Sequence, residues 1–395
     1  MKTNLTFSND SMVEDSNVNG SVEQVRLILP YSVILLLAVL GNVLVIVTLA
    51  VNKRMRTVTN VFLLNLAISD LLLGVFCIPF TLTGVLLRKF VFGAVMCRLI
   101  SYLQAVSVSV SAWTLVSMSI ERYYAICHPL KSRQWQTLSH AYKMIAIVWS
   151  GSLICMFPIA YLSKLQSIKG TDKYKCRENW PNLFTERLFT IFLDVVLLVV
   201  PLVIMSVTYS LIIRTLWKTI RPIHDFEIRR KSNFSSEFTE STAWTSDKLC
   251  HPVIGKEHLL QREAVRSSNL DRSLLQKKRV IKMLFVVVLE FFICWTPLYT
   301  INTISMYDPE SVYVGLGYYG ISFFQLLAHS SSCCNPITYC FMNYKFRQSF
   351  LALFRCQQNR WRTHDVSSLA VVNSSRHLNY VKTKKLYKKE ENYVT

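Results

Sequence analysis

The chain has 395 residues, of which 51% are hydrophobic and only 17% charged, against about 25% charged in a soluble domain. A soluble chain of this length would divide into about two or three domains, but here the apolar residues gather in blocks of about 20, the length a bilayer-spanning helix needs. The formal net charge of +20 lies in the loops between those blocks, which argues against nucleic acid and for basic loops facing an anionic membrane surface.

In chain order, residues 1–26 are polar and hold three glycosylation sequons, at Asn4, Asn9 and Asn19, the mark of a lumenal and then extracellular tail. No cleavable leader precedes the first apolar run near Leu27, so that run is expected to act as the signal anchor. Seven apolar spans follow, at 27–51, 59–87, 95–127, 141–163, 186–217, 277–306 and 312–341. Lys53, Arg54 and Arg56 follow the first span, whereas Asp10, Glu14, Asp15 and Glu23 precede it. The positive-inside rule therefore places the amino terminus outside and, after seven crossings, the carboxyl terminus inside. The expected fold class is an all-α membrane protein, a seven-transmembrane helix bundle over 27–341 with a short amphipathic eighth helix.

The third cytoplasmic loop, about 218–276, is polar and basic and is expected to be flexible. Over 342–356, Phe346, Phe350, Leu351 and Phe354 recur at helical spacing between Lys345, Arg347 and Arg355, which predicts the amphipathic helix. Cys356 directly after it is a candidate for palmitoylation. The tail 357–395 is expected to be disordered, with Ser and Thr open to phosphorylation. Of eleven cysteines, Cys77, Cys127, Cys155, Cys294, Cys333, Cys334 and Cys340 lie inside apolar spans, where a cysteine is ordinarily a small buried hydrophobe.

Polar residues stranded in apolar spans are costly and usually functional. Span one has Gly41-Asn42, span two runs Asn65-Leu-Ala-Ile-Ser-Asp70, and span three ends in Glu121-Arg122-Tyr123. Span four contains Trp149, and span five Pro201 and Tyr209. Span six has Phe291 followed by Cys294-Trp295-Thr296-Pro297, and span seven closes with Asn335-Pro336-Ile337-Thr338-Tyr339. The three mid-span prolines each remove a backbone hydrogen bond and are expected to kink their helices into hinges.

With one such signature per helix in this order, the sequence from about 27 to 356 resembles the rhodopsin-like G-protein-coupled receptors. The resemblance implies that Glu121 restrains Arg122 at rest, and that Arg122 then meets a heterotrimeric G protein. It implies that Trp295 above Phe291 switches beneath the ligand, and that Tyr209 and Tyr339 swing toward Arg122. Relatives with an acid at the foot of span six have a second clamp; Lys277 and Lys278 stand there instead. Asp70 would, by the same resemblance, hold a structural sodium ion with Asn42, Ser111, Ser332 and Asn335. A disulfide between Cys97 and Cys176 is implied, as are arrestin and receptor kinases as partners.

Two positions narrow the ligand. Gln104 replaces the aspartate of amine receptors and His329 the retinal lysine of opsins. The loop over 164–187 carries Lys164, Lys169, Lys173, Lys175, Arg177 and Arg187 against Asp172, Glu178 and Glu186, which favours an acidic ligand steered by charge. The segment from Glu121 to Ala141, and Cys340-Phe-Met-Asn-Tyr-Lys-Phe-Arg347, look like those of the cholecystokinin/gastrin (sulfakinin) receptor subfamily. That resemblance gives Arg177 a sulfated tyrosine, whose fork of acceptors suits a guanidinium, and gives Asn302 the amidated end of a peptide. Ser305 stands where those receptors have an arginine, and Phe90 where they have a tryptophan, so the peptide is expected to differ from cholecystokinin. The expected contacts are Gln104, Arg177, Asn302, Gln325 and His329, with coupling through phospholipase C and calcium. Receptors of orexin or RFamide type are the alternative. A transporter is disfavoured because no repeat is visible and charges cluster at helix ends; no nucleophile–base pair or metal cluster at informative spacing points to an enzyme.

Overall fold

In a computed structural model of the chain the long apolar runs are helices, the one open conformation that satisfies its own backbone in lipid. The structure describes residues 7–52, 55–167, 173–219, 254–344 and 346–351. Helix α1 is Phe7–Val51, α2 Val58–Phe76, α3 Ile78–Leu87, α4 Gly93–Cys127, α5 Pro129–Trp135 and α6 Leu138–Leu162. Strands β1 (Ser163–Ser167) and β2 (Tyr174–Glu178) form an antiparallel hairpin that sets Leu165 opposite Cys176 and Lys164 opposite Arg177. Then come α7 (Leu183–Asp194), a π turn at Val195–Val199, α8 over 200–219, α9 (Ile254–Tyr307), α10 (Pro309–Gly315) and α11 (Gly317–Met342).

Seven crossings result: α1, α2–α3, α4, α6, α7–α8, α9 and α11. Six stretches, from Ile28–Val51 to Lys278–Tyr307, are long and apolar enough to span a membrane. The seventh, α11, carries Gln325, His329 and Ser330 to Ser332; it packs among α1, α2 and α9 rather than standing on hydropathy alone.

Local chemistry sets the element boundaries. Thr57, Thr137 and Asn182 accept backbone N–H bonds at the starts of α2, α6 and α7, each satisfying one of the donors a helix start leaves free. Pro201 cannot donate to Leu197, and the turn before it opens, with Val200 N–H reaching Val195 O. Close packing explains Gly41: a Cβ there would meet Pro336 Cβ at 2.9 Å, so α1 and α11 touch where the two motifs lie. Asn65 joins three crossings, its Nδ2 donating to Thr114 Oγ1 and its Oδ1 accepting from Trp149 Nε1, both at 2.8 Å.

Two stretches differ from expectation. The loop expected to be flexible over 218–276 is helical from Ile254, continuous with the sixth crossing. From Lys256 to Thr296 there is no proline or glycine, and Leu, Gln, Arg, Glu, Lys and Ala are strong helix formers. The polar amino-terminal tail is also helical from Phe7, so Asn9 and Asn19 sit on a helix ahead of the apolar part of α1. Asn4, Lys53, Arg54, Lys169, Asp172, Cys356 and the tail 357–395 lie outside the described residues.

Tyr344 to the carboxyl end forms a separate unit. In it, residues 346–351 are helical, the Phe346 and Phe350 rings stack at 6.4 Å, and the Arg347 guanidinium lies 5.6 Å over the Tyr344 ring.

Candidate ligand cavity and switch residues

Between α2–α3, α4, α11 and the hairpin lies a cavity of about 540 Å³. Gln104, Arg177 and Gln325 line it, together with Arg88, Lys89, Lys175 and Cys176. Cys97 and Cys176 are disulfide-bonded, with Cα atoms 5.5 Å apart; this holds β2 against the end of α4 as the family pattern requires. The hairpin is further tied by Phe90 N–H to Tyr174 O at 2.7 Å and Arg98 Nε to Ser163 O at 3.3 Å. Arg177 donates to Tyr313 Oη at 3.2 Å, and Arg88 lies 4.9 Å over the Tyr318 ring. Four cations thus face one cavity whose lining includes no Asp or Glu. Glu178 at the end of β2 turns to Trp180, whose Nε1 donates to it at 2.7 Å. Burial pushes its carboxyl above the ordinary glutamate range, an effect this bond opposes and the nearby Glu186 adds to.

The other two expected ligand residues lie elsewhere. His329 is 1% exposed, below the cavity, with Nδ1 bonded to Gln325 O at 2.7 Å and Nε2 buried without a partner. Asn302 is exposed near the outer end of α9, its carbonyl accepting from Ser305 Oγ.

Deeper in the bundle, Phe291, Trp295 and Tyr299 repeat every fourth residue on one face of α9, with ring centroids 6.3 and 6.2 Å apart. Pro297 lies within α9 and Pro336 within α11. At the end of the bundle far from the cavity, Glu121 and Arg122 are within electrostatic reach of each other, but the contact Glu121 makes within 4 Å is to another helix. Its Oε1 is 3.4 Å from His140 Nε2 of α6, the one contact between a basic and an acidic side chain within 4 Å among the described residues, and an ion pair when His140 is protonated. Adjacent helical residues point about 100° apart, so Glu121 faces α6 while Arg122 enters the bundle within electrostatic reach of Tyr209. Tyr123 faces away, its hydroxyl 3.2 Å from His128 Nε2. Tyr209 and Tyr339 are buried.

Asp70 is buried and accepts from Asn335 Nδ2 at 2.7 Å. Ser69 and Ser111 hydroxyls are 2.9 Å apart beside it. Asn42 Nδ2 donates to Ser332 O at 2.8 Å, and Asn42 Oδ1 is buried without a partner. One carboxylate, several neutral oxygens and an orphaned amide oxygen match the donor set of a hard monovalent cation.

Known proteins place this sequence among receptors of the same architecture. The family model for the 7 transmembrane receptor (rhodopsin family) matches residues 41–339. The chain belongs to this family. It is 42% identical over 347 residues to a cholecystokinin receptor of Xenopus laevis, covering 84% of this chain and 76% of that one. It is 41% identical over 350 residues to human cholecystokinin receptor type A (84% and 81%). It is 39% identical over 348 residues to the dog gastrin/cholecystokinin type B receptor (81% and 77%). This is a family of G-protein-coupled receptors, not enzymes.

The receptor also holds two acids that the expectation of charge at helix ends passes over. Asp194, at the π turn of the fifth crossing, accepts from Thr303 Oγ1 of α9 through Oδ2, while Oδ1 is buried without a partner. Glu290, one turn below Trp295, accepts from Thr338 Oγ1 of α11 at 2.7 Å through Oε1, and Oε2 is likewise orphaned. The signal was available: each is a lone acid in an apolar run.

Proposed function

We propose that this receptor reads an acidic, amidated peptide of the cholecystokinin/gastrin type, carrying a sulfated tyrosine, at the plasma membrane with its amino terminus outside. The observation behind this is the cavity faced by Arg88, Lys89, Lys175 and Arg177 with no carboxylate in its lining. Like charges gathered around a water-accessible space repel one another, and a divalent or multiply charged anion relieves that repulsion. Arg177 offers the planar fork suited to a sulfate. The peptide would contact Gln104 and Gln325 in the same cavity and press inward on Trp295, opening the cytoplasmic face through Pro297 and Tyr339 to a G protein of the phospholipase C class.

Asp70, Ser111, Ser332 and Asn335 would hold a sodium ion at rest; bound, the ion supplies the positive charge that Asp70 otherwise lacks. Arrestin and receptor kinases would act on the tail, acylation at Cys356 would anchor it, and Asn4, Asn9 and Asn19 would carry glycans. In cells expressing the chain, a panel of sulfated, amidated peptides is expected to raise cytosolic calcium. Silence across the panel with receptor present at the cell surface overturns the ligand assignment.

A further inference from the structure

Asp194 ends α7 and is bonded across to α9. Thr303, its hydrogen-bond donor, lies one turn in from Tyr307, the outer end of α9, and next to Asn302. Arg187 of α7 donates to Met306 O at 3.0 Å and lies 4.6 Å over the Tyr307 ring, so α7 and α9 meet at their outer ends just above the pair. Tyr299, one turn below Thr303, is within electrostatic reach of Asp194. The π turn begins at the next residue, Val195. It adds one residue to the helical turn, so Asp194 faces α9 at a rotation that an uninterrupted α-helix would not give it.

The carboxylate is half satisfied. Thr303 occupies Oδ2, Oδ1 is buried with no donor, and among the described residues no Lys, Arg or His lies within ion-pair distance of it. A buried acceptor without a donor is costly, and a charged one more so. If Asp194 served only to join two helices, a neutral asparagine could accept the same bond from Thr303 without leaving a charge uncompensated.

We infer that Asp194 is the receptor's acceptor for a cationic group of its ligand, a guanidinium or ammonium that bonds Oδ1 between α7 and α9. Resting on the peptide reading above, this makes the ligand bipolar. Its acidic part lies in the cavity against Arg177 and its companions, on the α2–α3 and α11 side of α4. Its basic part lies on the α7 and α9 side. Two opposite charges placed on opposite sides of the mouth fix the peptide's orientation as well as its identity.

The test uses paired peptides that are amidated, contain a sulfated tyrosine, and carry either arginine or its neutral isostere citrulline at one position at a time. Calcium responses are read from the wild type, Asp194→Asn and Thr303→Val, each normalised to surface expression. The wild type is expected to prefer arginine over citrulline at one position by about 30-fold or more, the lower end for losing one partner of a desolvated charge pair. Asp194→Asn is expected to erase that preference while leaving the citrulline peptide's potency unchanged, and Thr303→Val to retain it. An unchanged preference in Asp194→Asn overturns the inference. Equal losses for both peptides also overturn it, since they mark Asp194 as a structural link. If no sulfated peptide activates the wild type, the peptide reading fails first, and Asp194 is then read separately. Purified receptor is melted with millimolar arginyl-phenylalanine amide or citrullinyl-phenylalanine amide; stabilisation by the arginine compound alone, lost in Asp194→Asn, supports the inference, and equal behaviour of the two compounds overturns it.

Discussion

The outer and inner halves of the bundle handle charge in opposite ways. In the outer cavity Arg88, Lys89, Lys175 and Arg177 face shared space, and their partners are a tyrosine hydroxyl and an aromatic ring. In the inner half two mid-span acids each accept from a neutral donor on another helix: Asp70 from Asn335 and Glu290 from Thr338. Cations left open at a wet mouth are available to a ligand. Acids bonded across helices in a dry interior join those helices, and such a bond is lost when the helices part. The difference assigns recognition to the outer half and switching to the inner half.

The largest expected effect comes from dismantling the outer half alone. Cys97→Ala frees a loop closed across a sequence separation of 79 residues, for which chain entropy gives about 4.5 kcal/mol. Lys175, Cys176 and Arg177 lose their place over the cavity, while the bonds of Asp70 and Glu290 are untouched. Peptide binding should be abolished and the melting temperature of the solubilised receptor should fall by several degrees. Unaltered binding would show that the β1–β2 hydrogen bonds alone hold the wall.

Arg177→Ala breaks the same half more gently. The sulfated form of an activating peptide should lose about 30-fold in potency, near 2 kcal/mol for a charge-assisted pair, and its unsulfated form should change little. Equal losses for both forms would move Arg177 from sulfate contact to general steering or to holding Tyr313.

How much of this was legible in the sequence follows the same division. The seven crossings could be read from apolar run length, because lipid permits few alternatives to a helix. The cavity wall could be read in part, since Cys97, Cys176 and Arg177 carry a family pattern. Side-chain direction could not. Glu121 next to Arg122 in sequence reads as a pair, yet a helix sends neighbours apart, and Glu121 meets His140 from α6. Gln325 and His329 stand one turn apart on α11, but the first lines the cavity and the second is buried beneath it. The π turn beside Asp194 has only Pro201 to announce it, and proline more often marks a kink.

Glu290 offers an inner-half counterpart to the Arg177 test. Outward movement of α9 would separate it from Thr338, so the bond favours the helices held together. Glu290→Leu should raise ligand-independent calcium or inositol phosphate signalling about fivefold, the equivalent of about 1 kcal/mol for one buried hydrogen bond. Glu290→Gln, which keeps an acceptor, should stay near wild type, and Thr338→Val should add little to Glu290→Leu. Additive effects of the two substitutions would show that they do not act through this bond.

The smallest effect sharpens the boundary between the halves, because Glu178 is the one acid in the two strands β1 and β2, and it is turned away from the cavity's cations toward Trp180. Burial raises its carboxyl above the ordinary glutamate value, so the folded receptor binds that proton more tightly than the unfolded chain does. Between the unfolded and folded values the native state therefore holds more protons, and its stability falls as pH rises. The wild type should lose a small part of its thermal stability as pH climbs through that window, and Glu178→Gln, which cannot ionise, should lose that slope. Were Glu178 instead paired with Lys175 or Arg177, the sign would reverse: its carboxyl would be depressed, stability would rise with pH, and the glutamine variant would be weakest at neutral pH. Melting curves of solubilised wild type and Glu178→Gln from about pH 4.5 to 7 distinguish the two signs, and a rising wild-type slope would return a carboxylate to the cavity that recognition requires to be free of one.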